Sequence, residues 1–554
     1  MEAPRAPDRD SARIAAIAPA ISSRSIASRA LSAAAPGLAL AVVLLLPFAG
    51  KAFTIDDTAF LREAQQALVD PLHPATATLV WSEVPRPMRA SEFMPGGTLM
   101  AWLLVPSMLA GGSEIIAHLG QLLLLALAIF ECAALALRLG FDDGSATLSA
   151  LLLAATPAVL GMAGTVMPDV AAMSLALTGI ERLLAWKQEQ SVAAAVAASL
   201  CLGLAPLARG HVALILPLAP LVLDLPMSRE GRRQWLPLVA APLVAALVLF
   251  VSRDPQGATS DVVKAAGAFS SIGNVRSNAF AFGVHWVLLL PLGLAWMVSR
   301  TRSFVMSPLP WLGVAAAIVL LLSGENGPRW MWLAPVSGLG MAVVADVVLR
   351  ALMSRERREL LLALWLLVPL PIVIYLHFPS KYLVACAPAA AIVAARAIRS
   401  LPGPAASLAG ALLVAAGSVT GVLILSADAS FADLGRRAAA ELVAPHVAAG
   451  DKVWFSAHWG FQWYAERAGA RCLSTVPPFP SRGDYFVTAN VTISGGVPAG
   501  FRDRELVATV KDDRPGGRLI DSKAGAGFWS NGWGFLPWVW SGDELDRFDL
   551  WRLR

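Results

Sequence analysis

LALAVVLLLPFAGKAFTIDDTAFL, residues 38–61, sets an apolar run against two adjacent acids, Asp56 and Asp57. Two neighbouring carboxylates beside a bilayer are costly to place unless they stay wet, bind a cation or do chemistry. The apolar half of the stretch makes this a membrane chain, and the acidic half makes it a candidate enzyme at the membrane surface. Working outward, 56% of the 554 residues are hydrophobic and only 15% are charged. Soluble chains average near 25% charged. The charge deficit is uneven: long apolar runs alternate with short Arg-rich clusters, the pattern of repeated membrane crossings. From about Asp428 the pattern stops and the chain reads as a soluble domain. The net charge of +5 says little about partners, because topology explains the Arg clusters. Cys132, Cys201 and Cys386 lie in apolar runs and Cys472 stands alone in the tail, so no disulfide framework is suggested.

Residues 1–32 carry Arg5, Arg9, Arg13, Arg24 and Arg29 before the apolar run, which resembles a secretory signal. We read the run as an uncleaved first span after a cytoplasmic basic N-terminus. Further spans are expected near 115–138, 145–163, 170–186, 191–208, 210–225, 235–252, 279–298, 308–323, 329–350, 359–377, 381–397 and 404–425, for a total of about thirteen. Residues 95–110 are apolar but short and rich in Gly and Pro, and are read as interfacial or re-entrant. With this layout the Arg clusters at 229–233, 300–302, 355–358 and 396–399 share the face of the N-terminus, which the positive-inside rule makes cytoplasmic. Asp142-Asp143 dissent, although acids count little in that rule.

Mixed acids and bases then collect on the outer face. The long first outer loop, 51–114, holds Asp56, Asp57, His73, Glu83, Arg86, Arg89 and Glu92. Asp169 follows in the second outer loop, and Arg209-Gly210-His211 forms the third. Arg253, Asp254, Asp261, Lys264 and Arg276 lie in the fourth, Glu325 and Arg329 in the fifth, His377 and Lys381 in the sixth. Residues 60–68 have the apolar spacing of an amphipathic helix ended by Asp70-Pro71, either interfacial or a plain surface helix.

This arrangement resembles the GT-C membrane glycosyltransferases, particularly the protein O-mannosyltransferase and lipid A aminoarabinose transferase branch. Asp56-Asp57 followed by Phe60-Leu61-Arg62-Glu63-Ala64 is similar to that family's acidic motif and interfacial helix. Met167-Pro168-Asp169-Val170 resembles its second acidic site, and Ala208-Arg209-Gly210 its third-loop basic element, where Lys is more usual. Pro379-Ser380-Lys381-Tyr382-Leu383 with Pro388 resembles its late Arg/Lys-Tyr-Leu motif. The resemblance covers about 30–425. The family's His-Pro-Pro is replaced by Met94-Pro95-Gly96-Gly97, and Asp57 stands where Glu is frequent, which leaves donor and acceptor open.

The resemblance implies an α-helical polytopic protein whose transmembrane domain, 33–426, transfers a sugar from a polyprenyl-phosphate carrier to an extracytoplasmic lipid, glycan or protein, with inversion. It implies the inner (plasma) membrane of a bacterium, with the site and the C-terminus facing the periplasm. Membrane lipids are expected partners and nucleic acid is not. Asp56, Asp57 and Asp169 are the candidate catalytic acids, since a carboxylate must take the acceptor hydroxyl proton. Arg209, Arg276, Arg329 and Lys381 are candidate clamps for the donor phosphate. A divalent cation on Asp56, Asp57 and Asp169 is a further option, because hard cations take carboxylates. Each residue also has a plainer role open to it. Asp57 can cap a helix, Asp169 can favour a helix N-terminus, Arg329 and Lys381 can snorkel, and His211 can be structural.

Residues 427–554 read as a small α/β domain with a helix over 431–449 and strands at 452–456, 484–488 and 548–552. Eight of the 18 Trp fall here. They either face sugars or the bilayer surface, or fill a core. Residues 525–535 look too Gly-rich for a packed element and suggest a loop over the active site. The rival reading is a transporter or flippase of a lipid-linked saccharide. It would show inverted repeats and charges buried within spans. No repeat is visible, and the polar residues sit at span ends.

Overall fold

The computed structural model describes residues 23–81, 84–93, 98–224, 227–252, 254, 272–323, 327–492, 496–497, 500 and 503–554. Glu83, Arg253, Asp261, Lys264, Glu325 and Met94-Pro95-Gly96-Gly97 lie outside the described residues. Helical segments stand at each expected stretch, and the chain is a multi-pass membrane protein with a C-terminal sheet domain. The count of about thirteen spans is a different matter. Among the described residues six helices have the length and composition to cross a bilayer, or eight if each of two bent pairs is one span. Proline accounts for part of the difference. The pairs Asp143–Ala154 with Pro157–Ala163 and Val275–Leu288 with Pro291–Thr301 bend by 54° and 69° where each second helix opens on proline. Gly210–Val222, with Pro217 and Pro220 inside, winds as a 3-10 helix. Residues 95–110 yield only the short helices Thr98–Leu103 and Val105–Leu109.

Length and charge account for more of it: Val192–Ala208 and Leu309–Leu322 are apolar but short for a span, and Asp169–Glu189 is long enough but charged. Asp169–Glu189 carries Glu181, Arg182, Lys187 and Glu189 along its second half. Glu181 and Glu131 are buried inside the bundle, contrary to the expectation that polar groups stay at span ends. They are tolerated because each is paired: Glu181 takes Arg138 at 2.6 Å and also Arg182, and Glu131 takes Arg182 at 3.3 Å.

The two ends of the bundle differ in kind. At one end Arg29 meets Asp143 at 2.9 Å, Arg358 meets Glu356 at 3.0 Å, and Arg396 meets Glu359. Asp142-Asp143 thus sit among the Arg clusters, 3.9 Å from Arg399 in the case of Asp142. The other end carries the first loop and the sheet domain. Its helix Asp57–Val69 is not a lone surface helix: Phe60, Leu61, Glu63, Ala64 and Ala67 are buried. Thr58 Oγ1 donates to Trp459 O at 2.6 Å, and Arg62 pairs with Glu466.

The last membrane helix, Gly403–Ala438, runs unbroken through residue 427 into the tail, since no proline lies between Pro404 and Pro445. A five-stranded sheet follows in the order Arg471–Cys472, Val453–Phe455, Tyr485–Ala489, Arg547–Leu553, Arg504–Lys511. The first three strands are parallel and the last two pair antiparallel. Alternation places Phe548 and Leu550 in a core with Leu434, Phe455, Phe461 and Val487. Trp454, Trp459, Trp463 and Trp529 are buried, so at least half of the tail tryptophans fill cores, while Trp540 is 66% exposed.

The Gly-rich segment departs from expectation. It packs: Phe528, Trp529 and Phe535 join the main membrane core. Glycine makes this possible, because a Cβ at Gly527 would stand 2.0 Å from Gly534 O, and Gly525 has φ +90°.

Candidate active site

The acid pair is built on a strained turn. Ile55, β-branched and buried, has φ +38°, a conformation such residues adopt only under constraint, and one typical of functional sites. The turn is held by Asp57 N donating to Thr54 O at 2.9 Å. It also sends the two carboxylates to different environments. Asp57 is fully buried and accepts Thr54 N at 2.9 Å and Val166 N at 3.0 Å, one on each oxygen. It staples the turn at 54–57 to the segment at Val166. Burial pushes its carboxyl up to about 7, against the pull of Lys51 and both backbone N–H groups. Below it lies a buried ion pair, Lys51–Asp428 at 2.6 Å, joining the first loop to the last membrane helix.

Asp56 points the other way. Its side chain is 30% exposed and meets Lys381 Nζ at 2.9 Å. Burial alone would raise its pKa, but Lys381, with smaller help from Arg209 and His377, holds it below the ordinary carboxylate range. Beside it, Asp169 opens the helix Asp169–Glu189 and Arg209 follows the last residue of Val192–Ala208. The two helices form an antiparallel hairpin, so these ends lie side by side, an acid at a helix N-terminus and a cation at a C-terminus, each favoured by its helix dipole. They form a two-pronged ion pair, Nε to Oδ1 at 3.0 Å and Nη2 to Oδ2 at 2.8 Å. Burial works against the Arg209 charge, and Asp169 more than restores it, moving its pKa up.

Aromatic rings close the cluster. Arg209 stands 5.8 Å over Tyr382, which meets His211 at 5.1 Å and Tyr375 at 6.1 Å. His377, pushed down to about 4 by burial and by Lys381, is neutral at physiological pH. The sheet domain holds this segment. Asn531 accepts Phe378 N at 2.8 Å and donates to Ser277 and Asn278. Ser530 meets His377 at 2.9 Å, and Ser380 N donates to Phe528 O at 3.0 Å. Residues 528–531 are therefore a strap that fixes the backbone just before Lys381.

Of the sequence-predicted residues, Asp56, Asp169, Arg209 and Lys381 come together, with Asp57 directly beneath. Arg276 and Arg329 are placed differently. Arg276 donates to Ser323 O at 2.8 Å, and Arg329 donates to Ser522 O at 2.9 Å and to Lys523 O, docking the tail. His73 is a local partner of Asp70 at 2.8 Å. Both oxygens of Asp57 accept backbone N–H groups and both of Asp169 accept Arg209. Among the described residues no group of three or more His, Cys, Asp or Glu is arranged to hold a metal ion. Tyr375, His377 and Asn531 were not singled out for the site from sequence. Asn531 lies within the 525–535 segment expected over the active site, but over 150 positions from its partners, so no spacing singles it out.

A multi-pass membrane chain with an acid–cation cluster under a strap from its tail domain is the class that fold and site define. No protein-family model and no curated protein sequence matches it. Among solved structures it is similar to ArnT from Cupriavidus metallidurans bound to undecaprenyl phosphate, at 14% identity and a TM-score of 0.47, over 83% of this chain and 93% of that one. It is also similar to the archaeal oligosaccharyltransferase AglB from Archaeoglobus fulgidus in complex with an inhibitory peptide and a dolichol-phosphate, at 14% identity and a TM-score of 0.49, over 83% of this chain and 69% of that one.

Proposed function

We propose that this chain is a membrane glycosyltransferase that moves a sugar from a polyprenyl-phosphate donor to an extracytoplasmic hydroxyl acceptor. The observation that carries the reading is the wet Asp56 carboxylate held 2.9 Å from Lys381, beside the Arg209–Asp169 pair. Asp56 accepts the acceptor's hydroxyl proton as the oxygen attacks the anomeric carbon. The bond from that carbon to the phosphate oxygen breaks, and the lipid phosphate leaves with the electron pair. Lys381 and Arg209 stabilise its charge through charge-assisted hydrogen bonds. Attack opposite the leaving phosphate inverts the anomeric centre. Asp169 orients the Arg209 fork, and Asp57 anchors the turn without touching substrate. No step is routed through a metal.

The flippase reading draws on the buried charges of Glu131 and Glu181, but these are neutralised by Arg138 and Arg182 within the bundle. The test is release of polyprenyl phosphate from a set of lipid-linked sugars by the purified chain with mixed acceptors. The expected result is release that depends on donor and acceptor together and falls in Arg209→Ala. Movement of intact donor across vesicles without release favours the flippase instead.

A further inference from the structure

A cavity of about 450 Å³ opens at the arginine-rich end of the bundle, lined in part by Trp296, Arg300, Arg350, Glu359, Arg396 and Ser400. It lies at the opposite end of the Ser380–Arg399 helix from Lys381, so it is separate from the Asp56 cluster. Its volume falls in the range of small-ligand sites. We infer that this cavity binds a phosphate-bearing group, the headgroup of an anionic lipid or a free phosphate, with Arg300 as the principal contact.

The argument rests on which charges are already matched. Arg350 is held by Asp346 at 2.9 Å, and Asp346 also accepts Trp296 Nε1 at 2.8 Å. Glu359 is occupied by Arg396, and Glu356, the other acid on the wall, accepts Arg358 at 3.0 Å. Arg300 is left over. Among the described residues no carboxylate pairs with it, and its Nε is buried with no acceptor. The backbone is bent to put it there: the Pro291–Val305 helix breaks at Arg300, with φ −128° and ψ 19°. The guanidinium lies 4.7 Å over the Trp296 ring, one face occupied and its edge free. A guanidinium whose Nε is buried without an acceptor wants an oxyanion that accepts two parallel N–H bonds, and phosphate has that geometry. Membrane orientation asks for arginines at this end but not for their convergence on one cavity. Met353 lines the same cavity and is 74% exposed, which gives an acyl chain an apolar surface beside the headgroup.

The full chain, purified in phosphate-free maltoside detergent, is titrated in two arms, with sodium phosphate against sodium chloride of matched ionic strength and with phosphatidylglycerol. Thermal unfolding and native mass spectrometry are the readouts. A rise in Tm and a one-to-one adduct are expected in at least one arm, and both are lost in Arg300→Gln and in Ser400→Trp, which plugs the mouth while keeping Arg300. A response to phosphatidylglycerol alone assigns the site to lipid, and a response to phosphate assigns it to the free anion. No shift beyond chloride in either arm overturns the proposal, as does a wild-type response in Arg300→Gln. If that variant fails to fold, a wild-type response in Ser400→Trp overturns it equally.

Discussion

At the residue scale, the two acids of Asp56-Asp57 are chemically alike and structurally opposite. Asp57 spends both oxygens on backbone N–H groups, and Asp56 spends one on Lys381. Asp57→Asn keeps the shape but leaves one N–H without an acceptor, which costs about 1–3 kcal/mol when buried. A lower unfolding temperature in detergent is therefore the expected outcome for Asp57→Asn, and an unchanged one removes the staple. For Asp56 the prediction concerns pH. The base must be deprotonated, and Lys381 favours that charged form while burial opposes it. In Lys381→Met burial is opposed only by the weaker pull of Arg209 and His377, so the pKa rises. The acid limb of kcat/KM against pH, which reports the free enzyme, should move to higher pH relative to wild type. A limb that stays in place separates Lys381 from the base.

At the scale of elements, the strap 528–531 and the segment 375–381 act as one unit. Asn531→Ala deletes the acceptor for Phe378 N and the donors to Ser277 and Asn278. Misplacement of a catalytic group by about 1 Å can cost about 100-fold. Turnover in Asn531→Ala should fall by up to that factor with the chain still folded, and full turnover uncouples the strap from the site. This unit also marks the limit of what the sequence reveals. The apolar runs, the acid pair, Asp169, Arg209 and Lys381 were legible, because bilayer length and charge at span ends are local signals. Three tail strands were legible for the same reason. The Arg504–Lys511 strand was not, since its face is largely exposed and its hydrophobic alternation weak. The split roles of Asp56 and Asp57 depend on the turn at Ile55 and on Val166, over 100 residues away. The packing of 525–535 was hidden by its own glycines, which look like a loop and in fact permit backbone to lie on backbone.

At the scale of the molecule, the two ends of the bundle carry opposite tasks: the arginine-rich cavity at one, the acid–cation cluster and the sheet domain at the other. Val69, 81% exposed, and Trp540, 66% exposed, mark the cluster end, and Met353, 74% exposed, marks the other. Cysteines at 69 and 540 should react with an impermeant reagent in intact cells, and one at 353 only after the membrane is opened. Labelling of 353 together with 69 in intact cells rejects the topology. The central claim is that Asp56 at this outer cluster takes the proton in a sugar transfer. Single-turnover transfer from a lipid-linked sugar, measured for wild type and Asp56→Asn in matched nanodiscs with donor binding recorded separately, tests it most directly. The account predicts a rate lowered by about two to four orders of magnitude with donor still bound; transfer at the wild-type rate in Asp56→Asn contradicts it.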